Sequence, residues 1–149
     1  MKFKTKRDAF FIYLWVALIF IINLVFLIPL LIEEITLTEL INVLILDLII
    51  SGFMIWLAVD ISYVIREDYL LVKGGLFKSK IQYKDITKVT GNPNIWIGYR
   101  LLFSRDAIEI HYKTGFMGSV IISPENKKEF IQELIQRNNL IKTENIKDI

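Results

Sequence analysis

The chain has 149 residues, 18 basic and 16 acidic, a formal charge of +2, a single histidine and no cysteine. Lack of Cys excludes disulfides, thiolate metal sites and thiol catalysis, and one histidine (His111) excludes a multi-histidine metal centre. Charge is distributed very unevenly: no Lys or Arg occurs from Ala9 to Val59, so only residues 61–149 remain to build one modest soluble domain.

The N-terminal arm carries Lys2, Lys4, Lys6 and Arg7 with one acid, Asp8. Residues 9–32 follow as an apolar run interrupted only by Asn23 and Pro29. A helix needs roughly 20 such residues to cross a hydrocarbon core of about 30 Å. The run is longer than the apolar region of a signal peptide and lacks a small-x-small cleavage site, so a spanning helix is expected. A second apolar run, 37–59, contains Asn42, Asp47, Ser51 and Gly52. Thr36 and Glu39 have the spacing of a capping box, which starts a helix there. The link Glu33-Glu34-Ile35 permits only a tight hairpin, so the helices are expected to be antiparallel neighbours.

The basic arm and the acidic hairpin loop predict that both chain ends face the cytoplasm. The competing arrangement, one span with the second run lying at the interface, would separate the ends, against the charge of the arm. Asp47 is the ionisable group deep in the apolar block, and such residues are functional candidates because exposure to lipid is costly. Counting outward from the turn places Asn23 opposite Asp47, which predicts an interhelical polar clamp at mid-membrane.

From Asp60 onward the periodicity changes. Residues 62–66 and 69–73 read as strands around a turn at Glu67-Asp68, and 78–82 alternates as another strand. Tyr83-Lys84-Asp85 is a short turn, 86–90 a strand, and Gly91-Asn92-Pro93-Asn94 a break. Strands are expected at 99–103 and 107–112, on either side of Ser104-Arg105-Asp106, and at 116–122. Ser123 as cap and Pro124 at the first position open a helix whose apolar face is Phe130, Ile131, Leu134 and Ile135. The organisation is thus a basic arm and two-helix hairpin over 1–60, a soluble domain over 61–141, and a polar, frayed tail over 142–149.

Antiparallel strands closed by one C-terminal amphipathic helix, with Tyr63-Val64-Ile65 through Leu70, 81–86, 104–110, and Ile121-Ile122-Ser123-Pro124 with Phe130 and Leu134, resemble the bacterial PH-like domain family. The expected fold class is therefore an α+β membrane protein: a transmembrane helical hairpin followed by a PH-like antiparallel β-sheet or barrel domain capped by a C-terminal α-helix. The whole chain resembles immunity proteins that protect a producer cell from its own secreted peptide bacteriocin. That resemblance implies non-catalytic binding or shielding, with the peptide or its membrane target as partner beside the lipid bilayer, and no cofactor. Ala107 stands where the family often carries Arg, so no ligand role transfers to it.

No phosphate loop surrounds Gly74-Gly75. Ser104, Asp106 and His111 include the residue types of a hydrolase triad but lack a nucleophile elbow. The 14 basic residues after Asp60 are interspersed with ten acids, which suits anionic lipid headgroups better than nucleic acid. One segment stands out: Trp96, Tyr99 and Arg100, in the run that follows the Asn-Pro-Asn break, combine aromatic and cationic groups fit for a membrane interface or a partner peptide. The alternative to the immunity reading is an accessory subunit of a membrane assembly or transporter.

Overall fold

A computed structural model describes residues 1–32, 34–114 and 117–146. Strand β1 is Lys2–Lys4, helix α1 Ala9–Ile32 and helix α2 Leu37–Val59. Strands β2 (Ile61–Ile65), β3 (Tyr69–Gly74) and β4 (Phe77–Gln82) follow, then a 3-10 turn (Tyr83–Asp85) and β5 (Ile86–Gly91). The chain finishes with β6 (Arg100–Leu101), β7 (Ile108–Tyr112), β8 (Ser119–Ile122), helix α3 (Lys127–Arg137) and β9 (Lys142–Glu144).

Helices α1 and α2 have the expected bounds. With about 1.5 Å of rise per residue each is roughly 35 Å long, enough for a bilayer core. Apolar residues cover every face, and only Phe11 and Ala58 are buried. A helix apolar all round needs a protein core or lipid around it; here the apolar stretches of both helices are uncovered by protein. The capping box forms as expected: Glu39 N–H donates to Thr36 Oγ1 (3.3 Å) and Thr36 N–H to Glu39 Oε2 (2.8 Å). Of the expected tight connection, Glu33 lies outside the described residues.

The soluble part is two sheets, ordered β1-β2-β3-β4 and β6-β8-β7-β5-β9. Alternation sends Tyr63, Ile65, Leu70, Val72, Ile81, Val89, Ile108 and Ile110 into one core, which α3 covers with Phe130, Ile131 and Leu134. The layout agrees with the PH-like expectation, with one addition and three corrections.

The basic arm is part of the fold of the domain. Lys2, Phe3 and Lys4 pair antiparallel with Val64, Tyr63 and Ser62. On its other side, Lys6 N–H donates to Ser123 O (2.6 Å) and Glu125 N–H to Lys4 O (3.0 Å). The arm therefore bridges β2 and the chain leaving β8, closing the gap between the sheets. Its period-two pattern, with Phe3 and Thr5 buried and Lys2 and Lys4 exposed, is that of a strand with one wet face.

Ser123 does not cap α3. It is buried, its Oγ accepts the Phe103 N–H (3.0 Å) and lies 3.0 Å from Thr5 Oγ1. The arm pairs with Pro124 and a turn at Glu125 and Asn126 follows, so the helix starts only at Lys127 with Asn126 as its N-cap. The strand expected at 99–103 shortens to Arg100–Leu101 and pairs parallel with β8 rather than folding back on β7. The polar tail is not frayed at its start: Lys142, Thr143 and Glu144 pair parallel with Lys88, Val89 and Thr90. The sheets are thus not purely antiparallel. Residues 147–149 of that tail, and Phe116 of the expected last hairpin strand, lie outside the described residues.

Candidate functional site

The site begins at the junction of hairpin and domain. Asp8 caps α1: its Oδ1 accepts the Phe11 N–H (3.0 Å). Its Oδ2 accepts the Arg105 N–H (2.7 Å) and the Ser104 hydroxyl (3.2 Å). One carboxylate therefore ties the helix start to the 104–105 turn. Around it Phe11, Ala58, Leu102, Phe103, Ala107 and Ile121 form a second buried cluster, with Trp15 stacked on Phe103 at 6.1 Å. Ala107 is buried in this cluster and serves packing.

Burial pushes the Asp8 carboxyl up, but the N–H groups of Arg105 and Phe11, the Ser104 hydroxyl and the Arg105 charge outweigh it and hold the carboxyl below its ordinary range. The unfolded chain therefore takes up this proton at higher pH than the folded chain. The stabilisation is complete above the ordinary aspartate pKa, about 4, and is lost as pH falls through the lower folded value. Thermal unfolding of the detergent-solubilised chain should show a midpoint falling with acid below about pH 4. Asp8→Asn should lower the midpoint at pH 7 and flatten part of that acid limb; an unchanged limb would remove Asp8 from the linkage.

The aromatic segment splits in two. Trp96 and Arg100 are exposed, Trp96 by 58%. Trp96 lies edge-on to Phe10 in the first turn of α1, with ring centroids 6.1 Å apart. The loop is shaped by Asn94, whose Oδ1 accepts the Trp96 N–H (3.1 Å), and by Gly98 at φ +92°. The Arg100 guanidinium donates to Ile95 O (3.2 Å). Tyr99 instead packs against the main core, its hydroxyl 3.0 Å from Ser79 Oγ.

A second exposed apolar pair was not apparent in the sequence: Leu76 and Phe77, at the β3–β4 turn. Gly75 there has φ +55°, and a Cβ on it would run into Leu57 of α2. The β3–β4 turn thus abuts the last turn of α2 at Gly75, with Leu76 and Phe77 next in the chain, as Trp96 abuts the first turn of α1. Together the two turns form an apolar collar where the hairpin meets the domain. The signal for it is weak in sequence, since isolated exposed apolar residues are common.

Asn23 and Asp47 are not brought together, which corrects the expected clamp. Asn23 Nδ2 donates to Ser51 Oγ (3.0 Å) and to Ile19 O (2.8 Å). Side chains on a helix lean toward its N-terminus. In an antiparallel pair Asn23 leans toward the domain and Asp47 toward the hairpin loop, so groups at equal height diverge. Ser51, one turn further along α2, leans up to meet Asn23. Asp47 Oδ1 is buried without a hydrogen-bond partner among the described residues.

Ser104, Asp106 and His111 do not assemble. Ser104 bonds to Asp8, His111 Nε2 lies 3.2 Å from Thr90 Oγ1, and Asp106 pairs with Lys6 (2.7 Å) and with Lys127. Among the described residues no cluster of three His, Asp or Glu is placed to hold a metal ion. A buried polar knot lies beneath the arm: the Tyr63 hydroxyl donates to Leu101 O (2.7 Å), accepts the Ser123 N–H (3.1 Å) and lies 3.1 Å from Thr5 Oγ1. Burial raises the Tyr63 phenol above its ordinary pKa, partly offset by the Thr5 and Ser123 hydrogen bonds.

No solved structure matches the chain. It is 36% identical over 141 residues to the uncharacterized protein YyaB of Bacillus subtilis (strain 168), covering 95% of each chain, so the relative shares both the hairpin and the domain. The sequence pattern of the bacterial PH domain matches residues 61–138. That span is over half the chain and holds β2 to β8 and the capping helix α3: the chain belongs to the bacterial PH domain family.

Proposed function

We propose that the chain is a non-catalytic, membrane-anchored immunity protein that protects its producer cell from a secreted peptide bacteriocin by binding or shielding. In this reading α1 and α2 span the cell membrane and both chain ends are cytoplasmic. The observation that carries it is the collar: Trp96 beside Phe10, with exposed Ile97 next to it, and Gly75 against Leu57, with exposed Leu76 and Phe77 following it, set apolar groups at the base of the two helices. A membrane-active peptide or its target would be met at that depth. Trp and Tyr favour this zone, and Trp and Arg are frequent anchors of protein contacts. The whole-chain resemblance to the sublancin immunity protein supplies the choice of partner.

Expression in a sensitive strain, with survival measured across peptide concentrations, tests the proposal. The intact chain should raise the inhibitory concentration. Trp96→Ala should lower it again at equal membrane level, by an amount corresponding to about 2 kcal/mol if Trp96 anchors the contact. Failure of the intact chain to protect would sink the immunity reading. Replacing the hairpin beyond its first turns, while keeping Phe10, Phe11, Trp15 and Ala58, should preserve protection if the spans only anchor. Orientation is checked separately: cysteines at Lys2 and Glu34, both exposed, should label oppositely with an impermeant reagent on intact cells. Labelling of position 2 from outside would reverse the topology.

The second reading, an accessory subunit of a membrane assembly or transporter, draws on Asp47. An unpartnered buried carboxylate oxygen within an apolar helix is costly unless a further helix supplies a donor. Asp47→Leu should then lower copurification of such a partner without lowering the level of the chain itself.

A further inference from the structure

Two cavities meet at the cytoplasmic base of the hairpin, and their chemistries are opposite. One is an apolar slot of about 270 Å³ between the helices. Ile12, Trp15, Val16 and Ile19 line it from α1, and Ile55, Ala58 and Val59 from α2. The first four fall at i, i+3, i+4 and i+7, and the other three at i, i+3 and i+4, so each helix gives the slot one continuous face. The other cavity, about 640 Å³, lies between the arm and the end of α2, and Lys2, Lys4, Lys6 and Arg7 contribute to its walls.

Arg7 and Val59 line both cavities, so the two adjoin at this pair. Four basic side chains outnumber the two carboxylates that line the polar cavity, Asp60 and Glu125. Asp60 is engaged by Lys73 at 2.9 Å, and Lys6 is engaged by Asp106. Among the described residues Lys2, Lys4 and Arg7 pair with no carboxylate; Arg7 uses one of its five donors on Val59 O, at 3.4 Å. From Ala9 to Ile19 the helix rises roughly 15 Å, about the depth of one leaflet of a bilayer core.

We propose that this composite cavity is a binding site for one anionic glycerophospholipid of the cytoplasmic leaflet. One acyl chain lies in the slot between α1 and α2, and the phosphate faces Arg7 with Lys2 and Lys4 behind it. The inference depends on the hairpin spanning the membrane with its base cytoplasmic. A free phosphate shares the headgroup chemistry, but only a lipid uses the slot. The pairing of β1 with β2 is what brings Lys2 and Lys4 to the helix base, which gives the arm a role beyond closing the sheets.

Trp15 in the slot is a built-in reporter. The full-length chain with Trp56→Phe and Trp96→Phe keeps Trp15 as its sole tryptophan; a companion with Trp15→Phe and Trp96→Phe keeps only Trp56, which does not line the slot. Each is reconstituted into phosphatidylcholine vesicles containing a minor fraction of acyl-brominated phosphatidylglycerol or acyl-brominated phosphatidylcholine. Trp15 should be quenched preferentially by the anionic lipid and Trp56 equally by both. Each basic side chain near an anionic surface is worth roughly five-fold in partition, so Arg7→Gln should cut the preference by about that factor. Lys2→Gln with Lys4→Gln, two exposed changes that spare the fold, should cut it as well. Equal quenching of Trp15 by the two lipids, the same anionic preference at Trp56, or a preference unaltered by all three substitutions would overturn the site. So would loss of the preference on adding inorganic phosphate at vesicle-compatible concentration, since a lipid held by its chain resists a free anion. Quenching of neither tryptophan by either lipid would overturn the membrane-spanning reading together with the site.

Discussion

A chain beginning at Ile61 is expected not to fold, even though it contains every residue of the family match. It lacks β1, and with it Phe3, which is buried and meets Phe130 edge-on at 5.2 Å. Losing a buried Phe costs about 3–5 kcal/mol. Thr5 is lost too, and the edge of β2 and residues 123–125 are left without their hydrogen-bonding neighbour. Small domains hold only about 5–15 kcal/mol in total, so these losses consume most of the margin. A chain that joins residues 1–8 to 60–149 through a short Gly-Ser linker should fold. The ends to be joined already lie together, with the Arg7 guanidinium 3.4 Å from Val59 O and Lys4 paired with Ser62. Mild detergent is needed, because Phe103 and Leu102 lose the cover of Phe11. Thermal melts followed by near-UV circular dichroism decide the matter: a cooperative transition for the linked chain and none for 61–149. Equal, cooperative melts for the two chains would show that the arm is dispensable.

Phe130→Ala is expected to be the most damaging single core substitution, at about 3–5 kcal/mol. Phe130 is fully buried on the inner face of α3 and touches two rings from different elements, Phe3 of β1 and Tyr63 of β2 at 6.2 Å. The sheets, the arm and the helix converge on this side chain, so no neighbour can collapse into the space without moving a whole element. Denaturant melts of the linked chain give the value. A double-mutant cycle with Phe3→Ala should return a coupling of about 0.5–1.5 kcal/mol, the range for an edge-to-face aromatic pair. A loss under about 0.5 kcal/mol for Phe130→Ala would mean that α3 is only loosely docked. Phe77→Ala provides the contrast: this side chain is exposed, so its loss should leave stability nearly unchanged while weakening whatever the collar touches.

The elements set by local pattern were legible in the chain itself. Long, nearly continuous apolarity without Lys or Arg marked both long helices to the residue, because little but length and apolar surface is required of them. The capping box at Thr36 and Glu39 is closed within three residues of chain and needs no tertiary partner. Period-two alternation marked β2 to β5 and β7, and helical spacing marked the face of α3 that carries Phe130, Ile131 and Leu134. These patterns also carry the resemblance to the PH family, and the family match covers the same residues.

Only the tertiary structure decided what depends on partners far apart in sequence. Lys2–Lys4 is too short and too basic to signal a strand; it becomes one because β2 offers an open edge 60 residues away. Ser123 had a cap's residue type, but Thr5 and Phe103 claim its hydroxyl, and a claimed hydroxyl cannot cap. Asp8 looked like one acid in a basic arm until the turn at Ser104 and Arg105 folded onto it. Asn23 met Ser51 rather than Asp47 because side-chain lean depends on chain direction, which counting along the helices ignores. Trp96 and Arg100 stayed outside while Tyr99 turned in, a division set by the three-dimensional path of residues 94–99. Periodicity records which face of an element is apolar; it does not record which distant segment will cover that face.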